Sequence, residues 1–201
     1  MTPNTGSRRA ILDRIRTRSL DSLPLPEVDA SKLTQFDDPV AKFVELLAAV
    51  GGDAHFIQRA EEAKQILDSI AVFSNAKQVA SLVPEAVEGN VDVSSIQDPH
   101  DLESLDWVIV PGEFIVAENG AIWVDGAMLP HRVMLFIAQY LAIIVSRKQV
   151  VHHMHQAYAR IGHPKPGFGV FISGPSKTAD IEQSLVLGAH GCRKMQVFLT
   201  P

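Results

Sequence analysis

The spacing of hydrophobic positions changes several times along the 201 residues, and each change marks an element. Between Asp38 and Gly52, Val40, Phe43, Val44 and Leu47 recur three and four apart, the period of one helix face. Asp37 or Asp38 can cap that helix, Pro39 suits its first turn, and Gly51-Gly52 ends it. His55–Ile57 reads as a short strand, residues 59–70 as a helix with Ala63, Ile66, Leu67 and Ile70 on one face, and 71–73 as a further strand. A weak helix over 78–82 and a polar turn over 98–104 lead to a strong strand at Trp107–Val110. Two more strands, Phe114–Ala117 and Ala121–Asp125, flank Glu118-Asn119-Gly120. A nearly all-apolar helix over 132–138 precedes Leu141–Val145, whose unbroken hydrophobicity predicts a strand buried on both faces.

The last third continues with a helix over 149–161, then the apolar run Gly169-Val-Phe-Ile172 and a small-residue hinge holding Ser173, Gly174, Ser176, Lys177 and Thr178. An amphipathic stretch with Ile181 and Leu185 one turn apart and a second apolar run, Met195–Leu199, follow. Strand, hinge, helix, strand predicts a βαβ unit whose polar hinge lies at the carboxyl end of a parallel strand, where open α/β sheets bind ligands. Strands and helices alternate from Asp38 onward, so the predicted fold is α/β with a mainly parallel sheet. Residues 1–37 carry a short helical pattern, 10–20, and then Leu23-Pro-Leu-Pro26, an extended connector. The predicted organisation is an arm over 1–37 and one α/β domain over 38–201.

Charge and cysteine usage narrow the function classes. About 200 residues can bury ~70% of the unfolded chain's surface, so folding requires neither metal nor disulfides. The single cysteine, Cys192, cannot make an internal bridge, and one thiolate cannot hold an iron–sulfur cluster. It reads as a near-surface thiol, or a reactive one activated by Arg193 and Lys194. No cofactor and no metal site are expected in this chain. The net charge of −5 is spread along the sequence, which argues against nucleic acid as a partner. The basic cluster Arg8, Arg9, Arg14, Arg16 and Arg18 is interrupted by Asp13 and lacks a cleavage pattern, so it reads as a solvated or partner-facing helix rather than a transit peptide. No apolar run approaches the ~20 residues needed to cross a bilayer, and a cytoplasmic location is expected.

Two segments could carry chemistry. Glu118-Asn119-Gly120 joins two strands: either it is a plain hairpin turn, or it holds a carboxylate where Gly120 lets backbone approach a ligand and Glu118 acts as nucleophile or general base. In the second segment, the loop Ser173-Gly174-Pro-Ser176-Lys177-Thr178, the hydroxyls of Ser176 and Thr178, the Lys177 ammonium and backbone N–H groups at a helix start could capture a phosphate or carboxylate. Alternatively, Thr178 merely caps that helix, with Asp180 in its first turn. Gly174 is followed by Pro175 rather than Lys, so this is not a Walker loop. His152, His153 and His155 read as a solvated helix face without further metal ligands, and His190 as a C-terminal dipole partner or packing residue. Met154 and Met195 read as core fillers.

Ser173-Gly-Pro-Ser-Lys-Thr-Ala-Asp-Ile-Glu182 and Leu187-Gly-Ala-His-Gly191 together resemble the C-terminal signature of LUD-domain proteins of the lactate-utilization protein C type. Ala117-Glu-Asn-Gly-Ala121 is similar to the Ala-Glu-Thr-Gly-Thr run of that family, with Asn119 departing from its Thr, and to the Glu-Asn-Gly motif of class I coenzyme A transferases, whose glutamate forms an acyl-enzyme thioester. The resemblance implies a Rossmann-like three-layer domain of the NagB/RpiA/CoA-transferase-like group. It also implies a subunit without cluster motifs that works with two iron–sulfur proteins in L-lactate oxidation, binding a small anionic ligand through Glu118, Asn119, Gly120 and the 173–180 segment. The alternative is a free-standing CoA-transferase-like enzyme acting through Glu118. Either way, Glu118 and Lys177 are expected to share one pocket.

Overall fold

The computed structural model describes residues 5–18, 28–29, 32–162, 167–175, 177–178, 186–187 and 191–201, with backbone alone at 5, 177–178 and 186–187. The chain divides into two compact units, residues 1–33 and 34–201. In the first, helix α1 spans Thr5–Thr17. Its Arg9 and Arg16 lie 3.9 and 3.6 Å from Asp13 in solvent-exposed pairs.

The second unit opens with α2 (Pro39–Ala49). Asp38 Oδ1 accepts the Ala41 N–H at 2.9 Å as its N-cap, and Pro39 occupies the first turn, as the sequence predicts. Then come β1 (Asp53–Phe56), α3 (Glu62–Asp68), α4 (Ala71–Ser74) and β2 (Val79–Ser81). Short 3-10 turns at Val93–Ser95 and Pro99–Ser104 lead to β3 (Trp107–Pro111), β4 (Phe114–Val116) and β5 (Ala121–Asp125). After α5 (Met134–Ile137) follow β6 (Tyr140–Ser146), β7 (Val150–Val151), α6 (Met154–Ile161), β8 (Gly169–Ile172), β9 (Lys177–Thr178), β10 (Val186–Leu187) and β11 (Lys194–Thr200).

Five strands form a wholly parallel sheet in the order β1-β11-β6-β3-β2. Its side chains alternate between two cores, as the two-residue period of a strand demands. Val108, Val110, Leu141, Ile143, Val197 and Leu199 pack with Phe43 and Leu47 of α2 and Met134 of α5. Trp107, Ile109, Ala142, Ile144 and Phe198 pack on the other face with Ala63 and Leu67 of α3 and Phe73 of α4. This is the three-layer α/β arrangement with a mainly parallel main sheet, and β6 is buried over 141–145 as its composition predicts.

A second sheet of four strands, β7-β4-β5-β8, is mixed: β4 runs parallel to β7, while β4–β5 and β5–β8 are antiparallel. Ile115, Ile122 and Val124 turn one of its faces into the α2-side core, and Phe114, Val116 and Ala121 pack on the other with Ala157 of α6.

Several expectations are corrected by packing. Residues 71–73 form helix α4 rather than a strand, because Phe73 meets Trp107 edge-on at 5.3 Å and the Trp107 indole N–H donates to the Val72 carbonyl at 3.1 Å. Residues 79–81 are a strand rather than a weak helix: they pair with β3, and Asn90 Oδ1 accepts the Val79 N–H. The helix expected from Gln149 begins only at Met154, since 150–151 pair with β4. Cys192 is buried at 4% exposure within the α2-side core, so it is no near-surface thiol. Nor do 169–199 form one βαβ unit. β8 pairs antiparallel with β5 in the smaller sheet, β11 lies in the main sheet, and Lys177–Thr178 are extended and pair with β10 instead of starting a helix.

Candidate functional site

One end of the smaller sheet gathers the residues in question. There the carboxyl ends of the parallel strands β4 and β7 lie beside the β4–β5 connection and the end of β8, because Ile122 pairs with Ile172. The β4–β7 ladder extends beyond the strands through Ala117 N–H to the Val151 carbonyl at 2.9 Å and Glu118 N–H to the His152 carbonyl at 3.0 Å. Glu118 is thereby fixed next to the start of α6.

The 118–120 turn is built by its own residues. Asn119 Oδ1 accepts the Ala121 N–H at 3.1 Å, an Asx turn, and Gly120 sits at φ 64, the left-handed region. Gly120 is also required by close approach: a Cβ there would lie 2.8 Å from the Leu47 backbone nitrogen in α2. Gly174 repeats the pattern at φ 75, its Cβ position being 2.9 Å from the Val50 carbonyl oxygen just beyond α2. Two glycines thus let two loops press against the same stretch of α2. Ser173 Oγ ties those loops together by donating to the Asn119 carbonyl at 2.7 Å.

Glu118 is exposed, and its Oε1 accepts the Met154 N–H, the first amide of α6, at 2.7 Å. The amino end of a helix favours negative charge there. Oε2 has no hydrogen bond among the described residues, so the carboxylate is positioned by one oxygen and presents the other.

The histidines are not a solvated face. His153 is 4% exposed and is the N-cap of α6, its Nδ1 accepting the Gln156 N–H at 3.3 Å. Gln156 Oε1 accepts the His152 N–H at 2.7 Å, a reciprocal arrangement similar to a capping box. The other ring nitrogen of His153, Nε2, lies 3.5 Å from Gln35 Nε2. His152 Nδ1 accepts the Phe36 N–H at 3.0 Å and its ring stacks on that of Phe36. Only His155 is exposed as expected. Gln35, His152, His153 and Gln156 therefore form the support of Glu118, a group the sequence reading missed. The available signal was the Val150-Val151 pair before the histidines, which ends a strand there.

Glu118, Asn119, Gly120, Ser173 and Gly174 are brought together. Ser176 and Asp180 lie outside the described residues, as do His190 and the side chains of Lys177 and Thr178. The convergence occurs at the end of the smaller mixed sheet, not along the carboxyl edge of the parallel sheet.

Residues 40–200 match the LUD domain. The chain belongs to the LUD-domain family. Among curated relatives, this LUD domain is 30% identical over 108 residues to lactate utilization protein C of Bacillus pumilus, an alignment covering 51% of this chain and 45% of that protein. It is 34% identical over 88 residues to lactate utilization protein C of Geobacillus sp. strain WCH70, covering 41% and 36%, and 38% identical over 96 residues to that of Halalkalibacterium halodurans, covering 44% and 41%. The alignments thus span less than half the length of these relatives. In fold, the chain is similar to the crystal structure of a DUF162 family protein from Deinococcus radiodurans, with a TM-score of 0.60 over 81% of this chain and 96% of that one at 16% identity. Among the described residues no helix is long and apolar enough to cross a membrane.

Proposed function

We propose that this LUD domain is a lactate-utilization protein C-like subunit of an L-lactate oxidation system, binding a small carboxylate at the Glu118–Ser173 end of the smaller sheet. The observation that carries the site is the Ser173–Asn119 hydrogen bond, which joins two loops more than fifty residues apart in sequence. The names of the relatives support the lactate role. In this reading the electron carriers are two iron–sulfur partner proteins, and this chain holds no cofactor of its own. Glu118 Oε2 meets the ligand, Asn119, Gly120, Ser173 and Gly174 shape the approach, and Ser176, Lys177, Thr178 and Asp180 supply donors and charge balance.

The test is reconstitution with the two iron–sulfur proteins and an artificial electron acceptor. L-lactate-dependent reduction should require this chain and fall at least tenfold with Glu118→Gln or Lys177→Ala, as expected for loss of a charged group at a binding site. Full activity without this chain overturns the reading. Glu118 Oε2, which has no hydrogen bond among the described residues, favours a second reading, a free-standing acyl transferase. In that case purified protein incubated with acyl-coenzyme A should show a covalent mass increase that Glu118→Gln removes.

A further inference from the structure

Helix α1 has the physical character of a docking element. Thirteen residues are marginal as an isolated helix in water, and Thr5-Gly6-Ser7 are poor formers with no acid in the first turn. Yet its apolar side chains are left open: Ile11, Leu12 and Ile15 are 58, 38 and 62% exposed. Helical spacing puts these three along one stripe, with Arg14 and Arg18 beside one border and Arg9 and Arg16 beside the other. Five arginines against one aspartate leave residues 5–18 at net +4.

Residues 78–131 have the opposite character. They contain ten Asp and Glu and no Lys or Arg. Glu85, Glu88, Asp92, Asp98, Asp101 and Glu103 are all exposed. Both limbs of this acidic segment are fastened around β2, the edge strand of the main sheet. The Asn90 side chain donates to the Lys77 carbonyl and accepts the Val79 N–H, each at 2.8 Å, while Ser104 Oγ donates to Gln78 Oε1 at 2.8 Å. Between the carboxylates, Leu82, Val91 and Ile96 are half-buried and pack on the core. The concentration of negative charge shows in His100, whose pKa is raised first by its hydrogen bond to Asp98 and further by Asp101 and Glu103.

We propose that α1 is a docking arm, its arginine-bordered apolar stripe seating on the acidic surface around β2 of a second copy of this chain, reciprocally, so that two copies close as a two-fold dimer. The carboxylates match the arginines in sign and in bidentate geometry, and Leu82, Val91 and Ile96 supply an apolar floor. A protein surface fits better than a lipid one. Three aliphatic side chains without an aromatic are a small face for in-plane membrane binding, and the acidic segment is repelled by an anionic leaflet. This inference does not rest on the lactate reading.

Sedimentation equilibrium of the full chain tests it, with charge swaps. Wild type should dimerise at low salt, with Kd rising on the order of a hundredfold at high salt as several exposed pairs are screened. R9E/R14E/R16E/R18E and E85K/E88K/D101K/E103K should each be monomeric alone, with circular dichroism and melting of residues 34–201 unchanged. An equimolar mixture of the two should form a heterodimer, because one contact then pairs the acidic arm with the basic surface and the other pairs the unchanged arginine arm with the unchanged acidic surface. If the surface variant fails to fold, E85Q/E88Q replaces it and should weaken the dimer by a smaller factor. Wild type that stays monomeric at every concentration and salt overturns the proposal, whether α1 then binds its own chain or anionic vesicles. So does a dimer that neither variant disturbs, or a mixture of folded variants that stays monomeric.

Discussion

Glu118 shows how one side chain can hold an element and still face a ligand. Its Oε1 caps α6 through the Met154 N–H, while Oε2 stays unbonded among the described residues. Glu118→Gln keeps an oxygen acceptor for that amide, so thermal denaturation should show a loss below ~1 kcal/mol, whereas Glu118→Ala removes the cap and should cost about 0.5–2 kcal/mol. An equal loss for Gln and Ala would mean that the charge, not the hydrogen bond, holds α6. At His100, the Asp98 carboxylate hydrogen-bonds the ring at 2.7 Å and raises its pKa, while the His100 backbone N–H and then the ring lower that of Asp98. The histidine contribution is fully present below the ordinary imidazole value and is lost as pH rises through the raised one. The aspartate contribution is present above the ordinary carboxylate value and is lost as pH falls through the lowered one. Both operate together only between those limits, and the pair is fully exposed. Proton NMR should find His100 titrating above an ordinary histidine, and Asp98→Asn should bring it down.

At the scale of elements, the 118–120 turn and α6 are held from outside themselves. Gly120 adopts φ 64 against the Leu47 backbone, so Gly120→Ala combines an unfavourable conformation with a clash and should lower stability by about 1–3 kcal/mol in denaturant titrations. His153→Ala deletes the N-cap acceptor and leaves the Gln156 N–H unpaired near a buried site; a loss of about 1–2 kcal/mol is expected, with exchange of the first-turn amides of α6 accelerated before those of the main sheet. Equal acceleration in both places would show that α6 does not open separately. What was legible at this scale follows periodicity. Pro39–Ala49, Phe114–Val116, Ala121–Asp125 and Tyr140–Ser146 match their sequence expectations because cap, proline and hydrophobic spacing agree locally. The strand expected over 71–73 and the helix expected over 78–82 are each replaced by the other type of element, because short apolar runs fit either, and Trp107 and Asn90, distant in sequence, decide between them.

For the whole molecule, the division at residues 33 and 34 predicts that removing 1–33 leaves a single cooperative thermal transition, since among the described residues the buried cores are built from residue 43 onward. Loss of soluble protein on that truncation would show that the arm completes a core. The alternation of apolar and polar segments along the sequence determined the α/β class and the mainly parallel main sheet, because βαβ-type spacing allows few other architectures. It determined too that Glu118-Asn119-Gly120 and the segment after Ile172 carry unusual polarity between apolar runs. Only the tertiary structure decided that 169–172 joins a second, mixed sheet, that Cys192 and His153 are buried, and that Ser173 reaches Asn119. Those outcomes depend on strand partners and on α2 approaching two glycines, contacts between residues far apart in the chain. Local periodicity fixes which face of an element is apolar, but not which distant surface will cover it.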